Sequence, residues 1–119
     1  MPNYAPLYMP GDMVTGTANG AIVGGTLVMV NGNGTISTAT ADSNAVVGMA
    51  AFDAASGTEV TYHARGQVHV STAAGAITAA ARVNSAAAGA VASATAAVAN
   101  IGIALTTAAD TALVTWMEC

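Results

Sequence analysis

The chain says nearly everything twice, and any fold it adopts must accommodate that. Thr17-Ala18-Asn19-Gly20-Ala21-Ile22 returns as Thr72-Ala73-Ala74-Gly75-Ala76-Ile77, a shift of 55 (72 − 17). At the same shift Gly11 meets Gly66, Val28 meets Val83, Gly34 meets Gly89 and Ile36 meets Val91. One residue is then lost, and the register continues at 54 (101 − 47). Val47-Gly48-Met49-Ala50 meets Ile101-Gly102-Ile103-Ala104, and Val60-Thr61-Tyr62 meets Val114-Thr115-Trp116. Ala, Gly and Thr are abundant, so single coincidences carry little. An ordered series with one gap is harder to attribute to composition. Two copies, about 11–62 and about 66–116, are expected to share one backbone plan.

Local patterning gives that plan as strands and tight turns. Met13 to Thr15, Thr26 to Val30, Thr35 to Thr40, Val46 to Phe52 and Glu59 to His63 read as strands. Thr17 to Gly20, Asn31 to Gly34 and Asp53 to Gly57 read as turns between them. In the second copy Val68 to Val70, Ile101 to Leu105 and Ala112 to Met117 repeat the strands. Residues 86–99 are so rich in alanine that propensity alone favours helix. The repeat argues otherwise, because Ala86 to Ala90 align on the Asn-Gly turn and Val91 to Ala96 on the strand Ile36 to Ala41. Strands are expected there, with a short helical turn near Ala86 or Ala97.

Five strands per copy make about ten. The expected fold is all-β, a small antiparallel β-barrel or sandwich built from two internal repeats, with residues 11–119 as a single domain. A unit of about 55 residues is marginal by itself, so the halves are expected to share one core. Aromatics are only 4 % of the chain, so that core is filled by Val, Ile, Leu, Met and Ala. Tyr62 and Trp116 occupy equivalent places as paired plugs.

Residues 1–10 hold all three prolines, the tyrosines Tyr4 and Tyr8, and no charged side chain. Proline forbids helix there and favours an extended arm. Tyr4, Leu7, Tyr8, Met9 and Pro10 are the candidate interface residues, since apolar groups this dense are costly to leave in water. The expected role of the arm is to lie on a neighbouring subunit.

Charge excludes several functions. The cations are Arg65 and Arg82 alone, against six carboxylates, for a net charge of −4. Nucleic-acid binding needs a basic footprint, which two arginines do not make. A phosphate-cradling P-loop needs a lysine, and there is none. Mean hydropathy is +0.58, and Val83 to Ala109 is uncharged and long enough to span a bilayer. Its Asn, Ser, Gly and Thr residues and the small number of its large apolar side chains argue against membrane insertion. No basic region precedes an apolar core at the N-terminus, so no signal peptide is expected. Cys119 is the single cysteine, which rules out an internal disulfide.

Chemistry is sparse. His63 and His69 flank Gly66 and are expected on the strand surface, and a metal site needs further ligands. Asp53 and Glu59 are the nearest carboxylates in sequence, with no motif linking them and few aromatics to hold a sugar. Ser37 and Ser71 sit in low-complexity contexts without a base and orienting group. Gly16, Gly20 and Gly24 fit turns better than a helix-packing motif, and Asn33-Gly34-Thr35 is a glycosylation sequon with a high chance rate. No enzyme activity and no cofactor are expected.

Several segments in order resemble the capsid decoration, or cement, proteins of tailed bacteriophages. They are Pro10-Gly11-Asp12-Met13-Val14, Val23 to Val28, Val47 to Ala50 with Ala54-Ala55-Ser56-Gly57, Gly66-Gln67-Val68, and Ile101 to Leu105 with Ala108-Ala109 and Leu113-Val114. Family members often carry a Gly-Asp-Pro-Val-like turn where this chain has Ala80-Ala81-Arg82-Val83. The resemblance implies a β-barrel-like domain on the outside of an icosahedral head, bound to the major capsid protein as homo-trimers at threefold and quasi-threefold positions. It transfers no catalytic residue. A surface module recognising glycan or a host surface is the alternative, and a small hydrolase using Asp53 and Glu59 a more remote one.

Overall fold

The computed structural model of the chain describes residues 13–94 and 100–118. The arm 1–10, Cys119 and residues 95–99 of the alanine tract lie outside them. Alternating side chains and frequent tight turns give ten strands. The first copy supplies β1 (Met13–Ala18), β2 (Leu27–Gly32), β3 (Thr35–Thr38), β4 (Val46–Ala50) and β5 (Glu59–Ala64). The second supplies β6 (Val68–Thr72), β7 (Arg82–Ser85), β8 (Val91–Ser93), β9 (Gly102–Ala104) and β10 (Leu113–Glu118). A single 3₁₀ turn, Ala87–Gly89, joins β7 to β8, so the described part of the alanine tract is strand, short turn and strand. No helix among the described residues is long and apolar enough to cross a membrane.

The first five strands close into a barrel in the order β1-β3-β2-β4-β5, with β5 pairing back onto β1. The β2–β3 hairpin inserts between β1 and β4, so β3 meets β1 in parallel through Thr17↔Thr35 and Ala18↔Ile36. The second five strands follow the order β6-β10-β9-β7-β8, which is the same arrangement in the second copy. There the closing parallel pair is reduced to one bridge, Ala73↔Val91, the counterpart of Ala18↔Ile36 at a shift of 55 (73 − 18). The all-β expectation of about ten strands holds. Its wholly antiparallel pairing does not, because an inserted hairpin forces one parallel neighbour in each copy.

Backbone torsions carry the repeat beyond residue identity. Gly20 and Gly75 have φ of 88° and 87°, while Gly34 and Gly89 both have 74°. Gly25 (80°) is matched by Ala80 (73°), and Gly57 (83°) by Thr111 (67°). The second copy therefore keeps two left-handed positions with side chains that resist them. The turn at Ala80 to Val83 retains the first copy's geometry: Ala80 N donates to Ala104 O at 2.8 Å as Gly25 N donates to Ala50 O at 2.9 Å. Thr111 is the more strained of the two, because a β-branched residue at positive φ is a genuine outlier. Thr111→Gly should raise stability by about 1 kcal/mol, as relieved strain exceeds the extra freedom glycine gains when unfolded. Chemical denaturation checks this, and a loss of stability would contradict it.

The core is not one body, as the size of each copy suggested. Ala18, Ile22, Val28, Ile36, Ala50, Ala54, Val60 and Tyr62 fill the first barrel. A second cluster holds Ala73, Ile77, Val83, Val91, Ile101, Ala104, Ala108, Val114 and Trp116, and extends to Leu27, Ala39, Val46 and Met49 of the first copy. Those four lie on the outer side of the first barrel, so the seam between the copies belongs to the second cluster. Polar contacts fasten it. Ser85 Oγ donates to Thr40 O at 2.7 Å and accepts from Ser43 N at 3.0 Å. Asp42 N donates to Ser85 O at 2.9 Å, and the Asn84 amide donates to the Asp42 carboxylate. Gly89 sits so close to Thr26 and Leu27 that an added Cβ would lie 2.6 Å from Thr26 Cβ.

Candidate interaction surface

Strands β6 and β10 pair with Leu113 opposite Thr72, Thr115 opposite Val70 and Met117 opposite Val68. Side chains alternate across a strand, so these six share one face. It is the outer face: Leu113 is 68 % exposed, Val68 56 %, Val70 54 % and Met117 40 %. The face continues onto β9 through Ile103, opposite Met117, and to Leu105, whose N–H donates to Thr115 O at 2.8 Å. Leu105 is also exposed. No charged residue lies among these side chains, and Arg82, opposite Ile103 on β7, stands at the rim.

The inner face of the same strands reverses the usual distribution. His69, Ser71 and Glu118 are buried beside Val114 and Trp116. His69 Nε2 lies 3.1 Å from Glu118 Oε1, and Arg65 Nε lies 3.5 Å from Glu118 Oε2. Trp116 Nε1 donates to Ser71 Oγ at 2.9 Å, with the His69 ring 5.4 Å away. Burying polar groups is tolerable only with such partners. A one-residue slip of β6 would put Val68 and Val70 inside and His69 and Ser71 outside. The pairing with β10 and the inward network hold the opposite arrangement.

Comparison of the copies shows that the apolar exterior belongs to the second alone. At equivalent outward positions the first copy has Met13 for Val68, Thr15 for Val70, Glu59 for Leu113, Thr61 for Thr115 and His63 for Met117. Thr15 and Thr61 share a hydrogen bond of 3.2 Å across that polar face. Sequence reasoning missed this surface. The signal was present in Val68-His69-Val70-Ser71, where β alternation places either the apolar or the polar set outward.

The sequence-derived candidates fare unevenly. Tyr4, Leu7, Tyr8, Met9 and Pro10 lie outside the described residues. His63 and His69 sit on different strands, and His69 is a core residue rather than a surface one, drawn inward by Glu118. Asp53 Oδ1 accepts from Gly24 N at 2.7 Å and fixes a turn, while Glu59 is exposed at the start of β5. Ser71 Oγ accepts a hydrogen bond from Trp116 Nε1, which the sequence context did not suggest. Among the described residues no group of three or more His, Cys, Asp or Glu side chains converges.

A small closed barrel and a five-stranded sheet of the same strand order are locked together by a polar seam, and the sheet carries an apolar exterior. The phage cement protein family matches residues 8–117, and the chain belongs to it. Its role is a structural one at the phage capsid. The crystal structure of the N base of the head fibre gp8.5 of bacteriophage phi29 has the same fold, with a TM-score of 0.70 and 19 % sequence identity. The match covers 91 % of this chain and 93 % of that one. No curated protein sequence matches significantly.

Proposed function

We infer that the protein decorates the outer surface of a phage head, where it binds the major capsid protein and strengthens contacts between capsid subunits. It is made in the host cytoplasm and acts without catalysis, as a homo-trimer at threefold and quasi-threefold positions. Residues 11–119 act as one adhesive unit, and residues 1–10 lie on the shell or a neighbouring subunit through Tyr4, Leu7, Tyr8, Met9 and Pro10. The inverted second copy carries this reading: it encloses His69 and Glu118 while presenting Val68, Val70, Leu113 and Met117. A shell under internal pressure fails where its capsomers separate. A rigid piece bridging them adds contact area without chemistry, and closed symmetry uses one patch several times.

Deleting residues 1–10 should lower occupancy on undecorated heads at least about tenfold, the loss of a little over 1 kcal/mol of contact. The circular dichroism of the remaining β domain should not change. The full chain should raise the temperature at which such heads release their contents. Undiminished occupancy of the truncated chain would remove the arm from the interface. Failure of the full chain to bind heads at all would remove the decoration role.

A further inference from the structure

We propose that the outer face of β9, β10 and β6 is the seat of a second copy of this chain. The proposal deepens the decoration reading and rests on its premise that copies associate. The first argument is what covers the equivalent surface within the chain. In the first copy one row runs across the barrel exterior through Met13, His63, Met49 and Leu27, paired in register. Leu27 and Met49, at one end of that row, are buried by the second copy. In the second copy the corresponding row is Val68, Met117, Ile103 and Arg82. Val68, Met117 and Arg82 are exposed and Ile103 is half-buried, because none of the described residues packs on this end as the second copy packs on Leu27 and Met49. A repeat of this chain already packs on such a row once, and the contact is head-to-tail. Continued between molecules, head-to-tail contacts close into rings.

Charge supplies the second argument. Two copies at net −4 repel one another, and a contact between them requires a surface without carboxylates. The face offers that: Glu59 of the first copy is replaced by Leu113, and Glu118 points into the core. Arg82 at the rim gives an acidic partner a favourable edge. Size supplies the third. Five side chains that are 40 to 68 % exposed make a patch of a few hundred Å², the upper range for a monomer. That is an apolar centre around which about 800 Å² per partner can be buried.

The test places the first copy's own residues on the second copy's face: Val70→Thr, Leu113→Glu and Met117→His together. The same backbone positions carry Thr15, Glu59 and His63 in the first barrel, so the fold is expected to accept them. Sedimentation velocity on the full chain should show an integral multiple of 11.5 kDa for the native sequence and 11.5 kDa for the triple variant. A native chain that stays at 11.5 kDa at every concentration, or a triple variant that keeps the native mass, overturns the proposal. If the triple variant does not fold, peroxide oxidation of the native chain decides. Met117 should become several-fold slower to oxidise as concentration rises while Met13 does not, and equal rates at all concentrations overturn the assignment. Head binding separates the two readings. A native chain that is monomeric but decorates heads, and loses decoration on Leu113→Glu, assigns the face to the shell and refutes the self-contact alone. A multimeric native chain that ignores heads refutes decoration and leaves the self-contact standing.

Discussion

Gly102→Ala should lower the melting temperature by on the order of 10 °C, corresponding to about 3 kcal/mol of stability. A Cβ at Gly102 would run into the carbonyl oxygen of Met117 and lie 2.8 Å from Trp116 Cε3. Met117 O is backbone in the adjacent strand, so relief requires β9 and β10 to part where Glu118 pairs with Gly102. Trp116 is completely buried and cannot retreat without opening the second core. The same construction recurs at Gly48, where a Cβ would meet the carbonyl of His63 and lie 3.2 Å from Tyr62 Cδ2. Each aromatic plug thus lies over a glycine that leaves it room, and Gly48→Ala should cost a similar amount. Tryptophan fluorescence and circular dichroism during heating measure both. An alanine variant within about 0.5 kcal/mol of the native chain, the range of a neutral surface change, would show that the aromatic does not rely on this space.

Ser85→Ala should cost about 2 kcal/mol and loosen the coupling between the barrel and the second sheet. The hydroxyl joins Thr40 O to Ser43 N across the seam, and its removal strands both backbone groups in a partly buried place. Trp116 reports on the second copy only, whereas circular dichroism reports on both. The two signals should coincide in the native chain and separate in the variant, since two-state behaviour requires coincident probes. Coincident transitions with unchanged midpoint would mean that the apolar contacts of Leu27, Val46 and Met49 hold the seam by themselves.

Much of this architecture was readable because the chain states it twice. The alanine-rich stretch after Ser85 favours helix by propensity, yet alignment on the first copy gave a turn and a strand, and a 3₁₀ turn and a strand are found at Ala87–Gly89 and Val91–Ser93. Pairing of Tyr62 with Trp116 was legible for the same reason. Separation into a closed barrel and a second sheet was not, because it depends on which strand β3 meets, a contact between distant residues that no local pattern encodes. His69 was misplaced since one strand of alternating residues has no intrinsic inside. Only Glu118 and Trp116 across the sheet, partners of His69 and Ser71, decide which set faces inward. The exposed apolar face followed the same choice and stayed hidden with it.

The seam at Ser85 has a mechanical corollary. Ser85 donates to Thr40 O and accepts from Asp42 N and Ser43 N while Gly89 lies flush against Leu27, which leaves the two halves little slack to swivel against each other. A load arriving at one end should therefore pass to the far end instead of being absorbed by a hinge, as in a stiff strut of fixed span.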